Sequence, residues 1–262
     1  MKNILEELAD YAWIRVQQAE KKLPLKDLKA QAEALNPNTG FPFEAALKAP
    51  GMSFICECKK ASPSKGLIAE DFPYVDIAKT YEQAGASAIS VLTEPKWFQG
   101  SDRYLKEISE AVSIPCLRKD FTVDEYMIYE AKVLGASAVL LICAILQEDT
   151  IRRYLEIADS LGLSALVEAH DAEELAMAVR AGARIIGVNN RNLKDFTVDI
   201  HNSIRLRELV PEQVLFVAES GIHTRQDVEE LERGRVNGVL IGEQLMRAAD
   251  KRAMLQELRG RL

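Results

Sequence analysis

Eight short apolar runs alternate with helical patterns along this 262-residue chain. They are SFICECKK (53–60), AISVLTE (88–94), PCLRKDF (115–121), AVLLICA (138–144), SALVEAH (164–170), RIIGVNNR (184–191), LFVAES (215–220) and GVLIGE (238–243). Near-continuous Val, Ile and Leu mark strands buried on both faces of a parallel sheet. Between them, VDIAKTYEQAGA, DEYMIYEAKVLGA, TIRRYLEIADSLG and DAEELAMAVRAGA place apolar residues at three- and four-residue steps, the helical period. Gly85, Gly135, Gly162 and Gly182 close these helices, because glycine takes the left-handed cap conformation cheaply. Eight strand–helix units predict a closed (β/α)8 barrel. An open doubly wound sheet is the alternative, but eight units are many for one and no G-x-G-x-x-G follows the first strand.

Residues 1–50 precede the first strand. Residues 2–22 read as a helix, and Pro24, Pro37, Pro42 and Pro50 break up the remainder of the segment. The segment is too short for a core of its own. We therefore expect one domain over 1–262, with 1–50 an extension packed on the barrel.

The net charge of −7 argues against nucleic acid as a partner, and sparse aromatics leave no stacking platform. No run is long and apolar enough for a membrane span, and the acids in MKNILEELADYAWIRVQQAEKK do not suit a signal peptide. Cys56, Cys58, Cys116 and Cys143 all lie in apolar runs without zinc-ligand spacing, as expected of reduced thiols in a cytoplasmic protein. The sequence leaves the oligomeric state open.

In a barrel the side chains of a strand alternate between interior and helix layer, and active sites sit at the carboxyl ends of the strands. Ile55, Glu57 and Lys59 share one face of the first strand, and Cys56 and Cys58 the other. The same parity groups Leu117, Lys119 and Phe121, then Leu166 and Glu168, then Gly187, Asn189 and Arg191, then Leu215, Val217 and Glu219. Strands two and four add Glu94 and little else. One lysine or glutamate at a strand end is ordinarily a solvated terminus. Five strands that end in charge or amide on the inward face are harder to explain that way, since unpaired buried charges are costly. Lys59, Lys119 and Arg191 face Glu57, Glu168 and Glu219, a mixture that shifts pKa values both ways, as acid–base chemistry requires. Cations in an acidic protein suit an anionic substrate. Ser220, Gly221, Gly242 and Glu243 follow the last two strands, where barrels commonly bind phosphate on backbone N–H groups. SPSKG (62–66) lacks Walker spacing and reads as a mobile loop over the mouth, from which Ser62 and Lys65 can reach an anion.

In chain order, ECKKASPSKG, SVLTEPKWFQGS, PCLRKDF, LVEAH, GVNNRNL, AESGI and VLIGE resemble indole-3-glycerol phosphate synthase from about residue 50 to 245, and the extra N-terminal helix also fits that family. The resemblance implies a reaction of tryptophan biosynthesis. 1-(2-Carboxyphenylamino)-1-deoxyribulose 5-phosphate cyclises, then loses carbon dioxide and water, without cofactor or metal. Lys119 matches the general acid, Glu168 the carboxylate that stabilises the iminium and removes a proton, and Glu57 a hydroxyl-binding carboxylate. Lys59 matches the lysine on the substrate carboxylate, Asn189 and Arg191 match groups that orient the substrate, and Glu219 matches a supporting carboxylate. Ser220, Gly221, Gly242, Glu243 and Ser62 match the phosphate contacts. Phe98, Phe121, Leu140 and Leu193 match the apolar wall around the anthranilate ring. Lys119 would serve as an acid if its surroundings brought its pKa toward neutrality. Cys58 and Gln244 depart from the family pattern, and Trp13 is the candidate for a first-helix contact to substrate.

Two other readings compete: a different phosphosugar barrel such as phosphoribosylanthranilate isomerase, or a non-catalytic phosphosugar-binding barrel. The isomerase needs a cysteine–aspartate pair at strand ends, whereas Cys56 and Cys58 point outward and lie too early. A binding barrel has no use for a full acid–base set.

Overall fold

The strands close on themselves. A computed structural model describes residues 4–191 and 197–261. The barrel strands are β1 (Ser53–Cys58), β2 (Ala88–Leu92), β3 (Cys116–Lys119), β4 (Ala138–Ile142), β5 (Ser164–Ala169), β6 (Ile185–Asn189), β7 (Leu215–Glu219) and β8 (Gly238–Ile241). Each pairs in parallel with its neighbours, and β8 returns to β1 with Ser53 opposite Gly238 and Ile55 opposite Leu240. No strand edge is left open in the barrel, and all eight are buried along almost their whole length, so near-continuous apolar runs are what they need.

Three helices precede β1: α1 (Ile4–Glu20), α2 (Leu25–Glu33) and α3 (Pro42–Leu47). The prolines fall at the breaks that bound these helices, and two of the four also start a helix. Pro24 stands at the N-cap of α2 and Pro42 at the first position of α3, where a missing N–H costs nothing. On α1, Leu8, Ala12 and Val16 recur at four-residue steps and are buried. α2 packs beside α6 (Glu125–Val133). Around the strands lie α4 (Tyr74–Ala84), α5 (Asp102–Ala111), α6, α7 (Glu148–Ser160), α8 (Ala172–Ala181), α9 (His201–Arg207), α10 (Arg225–Arg233), α11 (Glu243–Arg247) and α12 (Lys251–Leu258). Side chains of Asp124, Asp171 and Thr224 cap the starts of α6, α8 and α10, and Gly85 and Gly182 cap the ends of α4 and α8 at φ 94° and 93°.

After β1, Ala61–Ser62 and Gly66–Leu67 form a small antiparallel hairpin. The SPSKG stretch thus forms the turn of this hairpin, and Ser62, Pro63 and Ser64 line the mouth at the carboxyl ends of the strands.

Candidate active site

Pairing register sets the rim. Glu57 is opposite Ser90, Leu92 is opposite Lys119, and Asn189 is opposite Glu219. Residues far apart in sequence therefore reach one level of the barrel. Glu57 Oε1 touches Lys59 Nζ at 2.5 Å, and its Oε2 accepts the Ser90 hydroxyl at 3.1 Å. Lys119 Nζ stands 3.5 Å from Glu168 Oε2 and 3.5 Å from Glu219 Oε2. Glu57, Glu168 and Glu219 are each 3% exposed or less.

Three carboxylates around one ammonium divide the titration unequally. For Lys119, burial acts to lower the pKa, but Glu219, Glu168 and Glu57 outweigh it and hold the amine above the ordinary lysine value. This overturns the expectation of a lysine brought toward neutrality: its neighbours are anions, and anions keep it charged. Glu57 and Glu168 are also opposed by burial, yet Lys59 and Lys119 hold Glu57 low, and Lys119 and His170 hold Glu168 low. Glu219 is the exception. Burial, with Glu168 and Glu57 nearby, outweighs Lys119 and pushes it up to about 8. Its Oε1 is buried without a hydrogen-bond partner, which suits a protonated acid better than an anion.

One mouth is lined by Glu57, Lys59, Ser62, Phe98, Lys119, Phe121, Leu140, Glu168, Asn189, Arg191, Glu219, Ser220, Gly221, Gly242 and Glu243. That set holds every described residue expected as a catalytic group, a phosphate contact or part of the apolar wall; Leu193 lies outside the described residues. On one side Phe98 and Phe121 stand with ring centroids 6.0 Å apart. On the other, Ser220 and Gly221 turn with φ of 68° and 80°, and Gly242 precedes α11. A side chain at Gly242 would place Cβ 2.5 Å from Glu57 Oε1, so this glycine also makes room for the acid–base pair. Lys65 reaches from the hairpin to within 3.6 Å of Glu243, and Arg191 stands 3.9 Å from the same carboxylate. Among the described residues no cluster of three or more His, Cys, Asp or Glu is placed to hold a metal ion.

Several residues differ from the reading by parity. Trp13 is 45% exposed and does not line the mouth; Ile4, Leu5 and Leu8 of α1 do. The amphipathic period of α1 points to Leu8, but only docking shows which end of the helix meets the rim. Glu94 is fully buried, yet its carboxylate accepts the backbone N–H groups of Lys96, Trp97 and Phe98 and so shapes the loop that carries Phe98. Ser90, passed over on β2, holds Glu57. Asn190, on the outward parity of β6, donates to the Ser220 carbonyl at 3.2 Å and accepts from Ser203. Small hydroxyls and amides of this kind carry no signal in the sequence until the register is known.

Fold and rim together define a class: a (β/α)8 barrel whose strand ends gather paired acids and bases beside glycine turns. Solved structures share the fold. 3-Hexulose-6-phosphate synthase from Salmonella typhimurium has a TM-score of 0.66 at 16% identity, covering 80% of this chain and 98% of that one. Thiamine phosphate pyrophosphorylase from Pyrococcus furiosus has a TM-score of 0.60 at 19% identity, covering 80% and 94%. The sequence narrows the class further. The family profile of indole-3-glycerol phosphate synthase matches residues 5–258. Indole-3-glycerol phosphate synthase of Ruminiclostridium cellulolyticum is 59% identical over 98% of this chain and 99% of its own length. That of Lachnoclostridium phytofermentans is 50% identical over 99% and 100%. The chain belongs to the indole-3-glycerol phosphate synthase family.

Proposed function

We infer that this protein converts 1-(2-carboxyphenylamino)-1-deoxyribulose 5-phosphate to indole-3-glycerol phosphate, a decarboxylating lyase step of tryptophan biosynthesis. The observation that carries this beyond family membership is the Lys119 ammonium, 3.5 Å from both Glu168 and Glu219 in the mouth that also holds the Glu57–Lys59 pair.

Lys119 is the general acid. It stays charged at neutral pH, and the alkoxide that develops as the ring closes is more basic than an amine, so the transfer runs toward oxygen. Lys59 and Arg191 hold the substrate's anionic groups, and Asn189 orients its hydroxyls. Glu168 faces the iminium and takes the ring proton, and Glu57 handles a hydroxyl. Glu219 supports Lys119. Backbone N–H groups at Ser220, Gly221, Gly242 and Glu243, with Ser62 from the hairpin, receive the phosphate. Phe98, Phe121 and Leu140 pack against the aromatic ring. The hairpin acts as a lid: loss of carbon dioxide turns a carboxylate into a neutral gas, which water exclusion favours.

The four cysteines are buried and unpaired, which supports a reducing cytoplasm. No helix among the described residues is long and apolar enough to cross a membrane. The test is direct: purified protein given the substrate should develop indole fluorescence. Absence of that signal at saturating substrate overturns the assignment.

A further inference from the structure

His170 lies two residues beyond Glu168 and has none of the roles assigned to the rim. Its ring stands between two carboxylates. Nδ1 is 3.0 Å from Glu174 Oε2, the oxygen that also accepts the His170 backbone N–H at 2.8 Å. Nε2 lies 3.4 Å from Glu168 Oε1 and is buried without a hydrogen-bond partner. Two ring nitrogens each facing a carboxylate need a proton apiece, and only the imidazolium carries both.

The groups around the ring favour that state. Burial opposes the charge, but Glu174 from α8, Glu168 from β5 and Glu219 from β7 outweigh it and raise the imidazole above its usual value. Lys119, from β3, stands on the far side of Glu168. Cys143, after β4, is pushed up to about 12 by burial and by Glu174 and Glu168, so it remains a neutral thiol. Asp171 is engaged with the N–H groups of Glu173 and Glu174, and from α9 Asn202 donates to the His170 carbonyl at 3.3 Å. The side chains of His170 and Glu174 are 18% and 20% exposed, and Glu168, which the ring faces, lines the mouth.

The synthase reaction consumes a proton. The ketone oxygen leaves as water and needs two protons. Carbon returns one to Glu168. The carboxylate departs as neutral carbon dioxide and supplies none. One proton per turnover must therefore enter a site from which the lid excludes water.

We propose that His170 stores this proton and delivers it through Glu168. The Nε2–H bond breaks as the Glu168 Oε1–H bond forms, leaving a neutral ring whose Nδ1–H stays on Glu174. The carboxyl group then turns so that this hydrogen faces Lys119, and its O–H bond breaks as the Lys119 Nζ–H bond lost in protonating the substrate oxygen forms again. Hydronium or a buffer acid restores the Nε2 proton when the lid opens. His170 acts through Glu168 and does not touch substrate.

The proposal rests on the synthase reading, and a single-turnover experiment with a pH-indicator dye tests the two separately. Indole absorbance reports the chemistry, and the dye reports proton uptake. No indole signal from the unaltered protein would sink the synthase reading itself. If indole forms, we expect dye uptake to lag behind it at neutral pH, and the lag to vanish as pH rises through the imidazole's pKa. In His170→Gln the lag should be gone and kcat lower by about tenfold or more, with KM within about twofold. Glu174→Gln, outside the reacting groups, should move the loss of the lag to lower pH, because it removes an anion that holds the ring's proton. A merely structural histidine would change kcat without changing the order of the two signals. Simultaneous signals in the unaltered protein, or a lag that survives His170→Gln or does not move in Glu174→Gln, overturns the proposal.

Discussion

Lys119 is the residue on which the chemistry turns, and its three carboxylate neighbours decide its state. Lys119→Ala should reduce kcat by about 10²–10⁴-fold and leave equilibrium binding of substrate nearly intact; a near-normal kcat removes it from the role of acid. Gly187 offers a subtler test. A Cβ there would lie 2.3 Å from Glu219 Oε1 and 3.2 Å from Leu166 Cδ1, so the carboxylate must shift. Gly187→Ala should displace Glu219 and lower kcat while the melting temperature changes by only a few degrees, about 1 kcal/mol of strain. An unchanged kcat would mean that Glu219's position is not critical. Gly242→Asp should raise KM strongly and lower kcat as well, since its side chain would strike Glu57 and come within 3.2 Å of Lys59 Nζ. If KM alone changes, the glycine serves only the phosphate. At this scale the charged rim residues were legible from alternation along each strand. Ser90 and Asn190 were not, because their importance lies in which strand faces them.

Among the elements, α1 is the one whose attachment reaches the chemistry. Arg15 forms a two-pronged ion pair with Asp120, at 3.0 and 2.6 Å. Asp120 directly follows Lys119, and its side chain also accepts the Phe121 N–H and the Thr93 hydroxyl. Arg118, fully buried, reaches Asp102 and Glu130 at 2.8 and 2.7 Å, which ties β3 to α5 and α6. The strand end carrying the acid is thus gripped from three helices. Removing one partner of a buried pair leaves the other charge stranded, so Arg15→Ala should cost about 3 kcal/mol of stability. It should also lower kcat, since Asp120 then has freedom to carry Lys119 out of line. Arg15→Lys should recover only part of both, because an ammonium cannot match both carboxylate oxygens. Denaturant unfolding and steady-state kinetics on the two variants check this; full recovery by lysine would show that charge alone suffices. The periodicity of α1 showed that it has an apolar face. The ion pair was not legible, since Arg15 and Asp120 are 105 positions apart.

For the whole molecule, the buried rim ties stability to pH from both sides. Asp120, Glu57 and Glu168 are all opposed by burial but held low by cations. Their contribution is present above the unfolded carboxylate value, near 4, and is lost as pH falls through their lower folded values. Glu219 has the opposite sign. Raised to about 8, it contributes stability below its unfolded value that fades as pH rises through about 8. Calorimetric melting temperature should therefore fall in acid and decline again on the alkaline side, where the raised His170 imidazole adds a contribution of the same sign, and Glu219→Gln should remove the part of the decline near pH 8. A variant that keeps that decline would place its origin elsewhere.

The order of elements, closure into a barrel and the inward parity of the rim were determined by the sequence alone, because strand and helix periods are local and eight parallel units have few ways to bury both faces; the family followed from the resemblance of the strand-end motifs. Tertiary structure decided what those residues become. Lys119 is charged because three strands bring anions to it, Glu219 holds a proton because burial wins there, and Leu8 rather than Trp13 meets the mouth because of how α1 docks. Protonation and contact depend on through-space neighbours, and neighbours are set by register and docking, which no local period encodes.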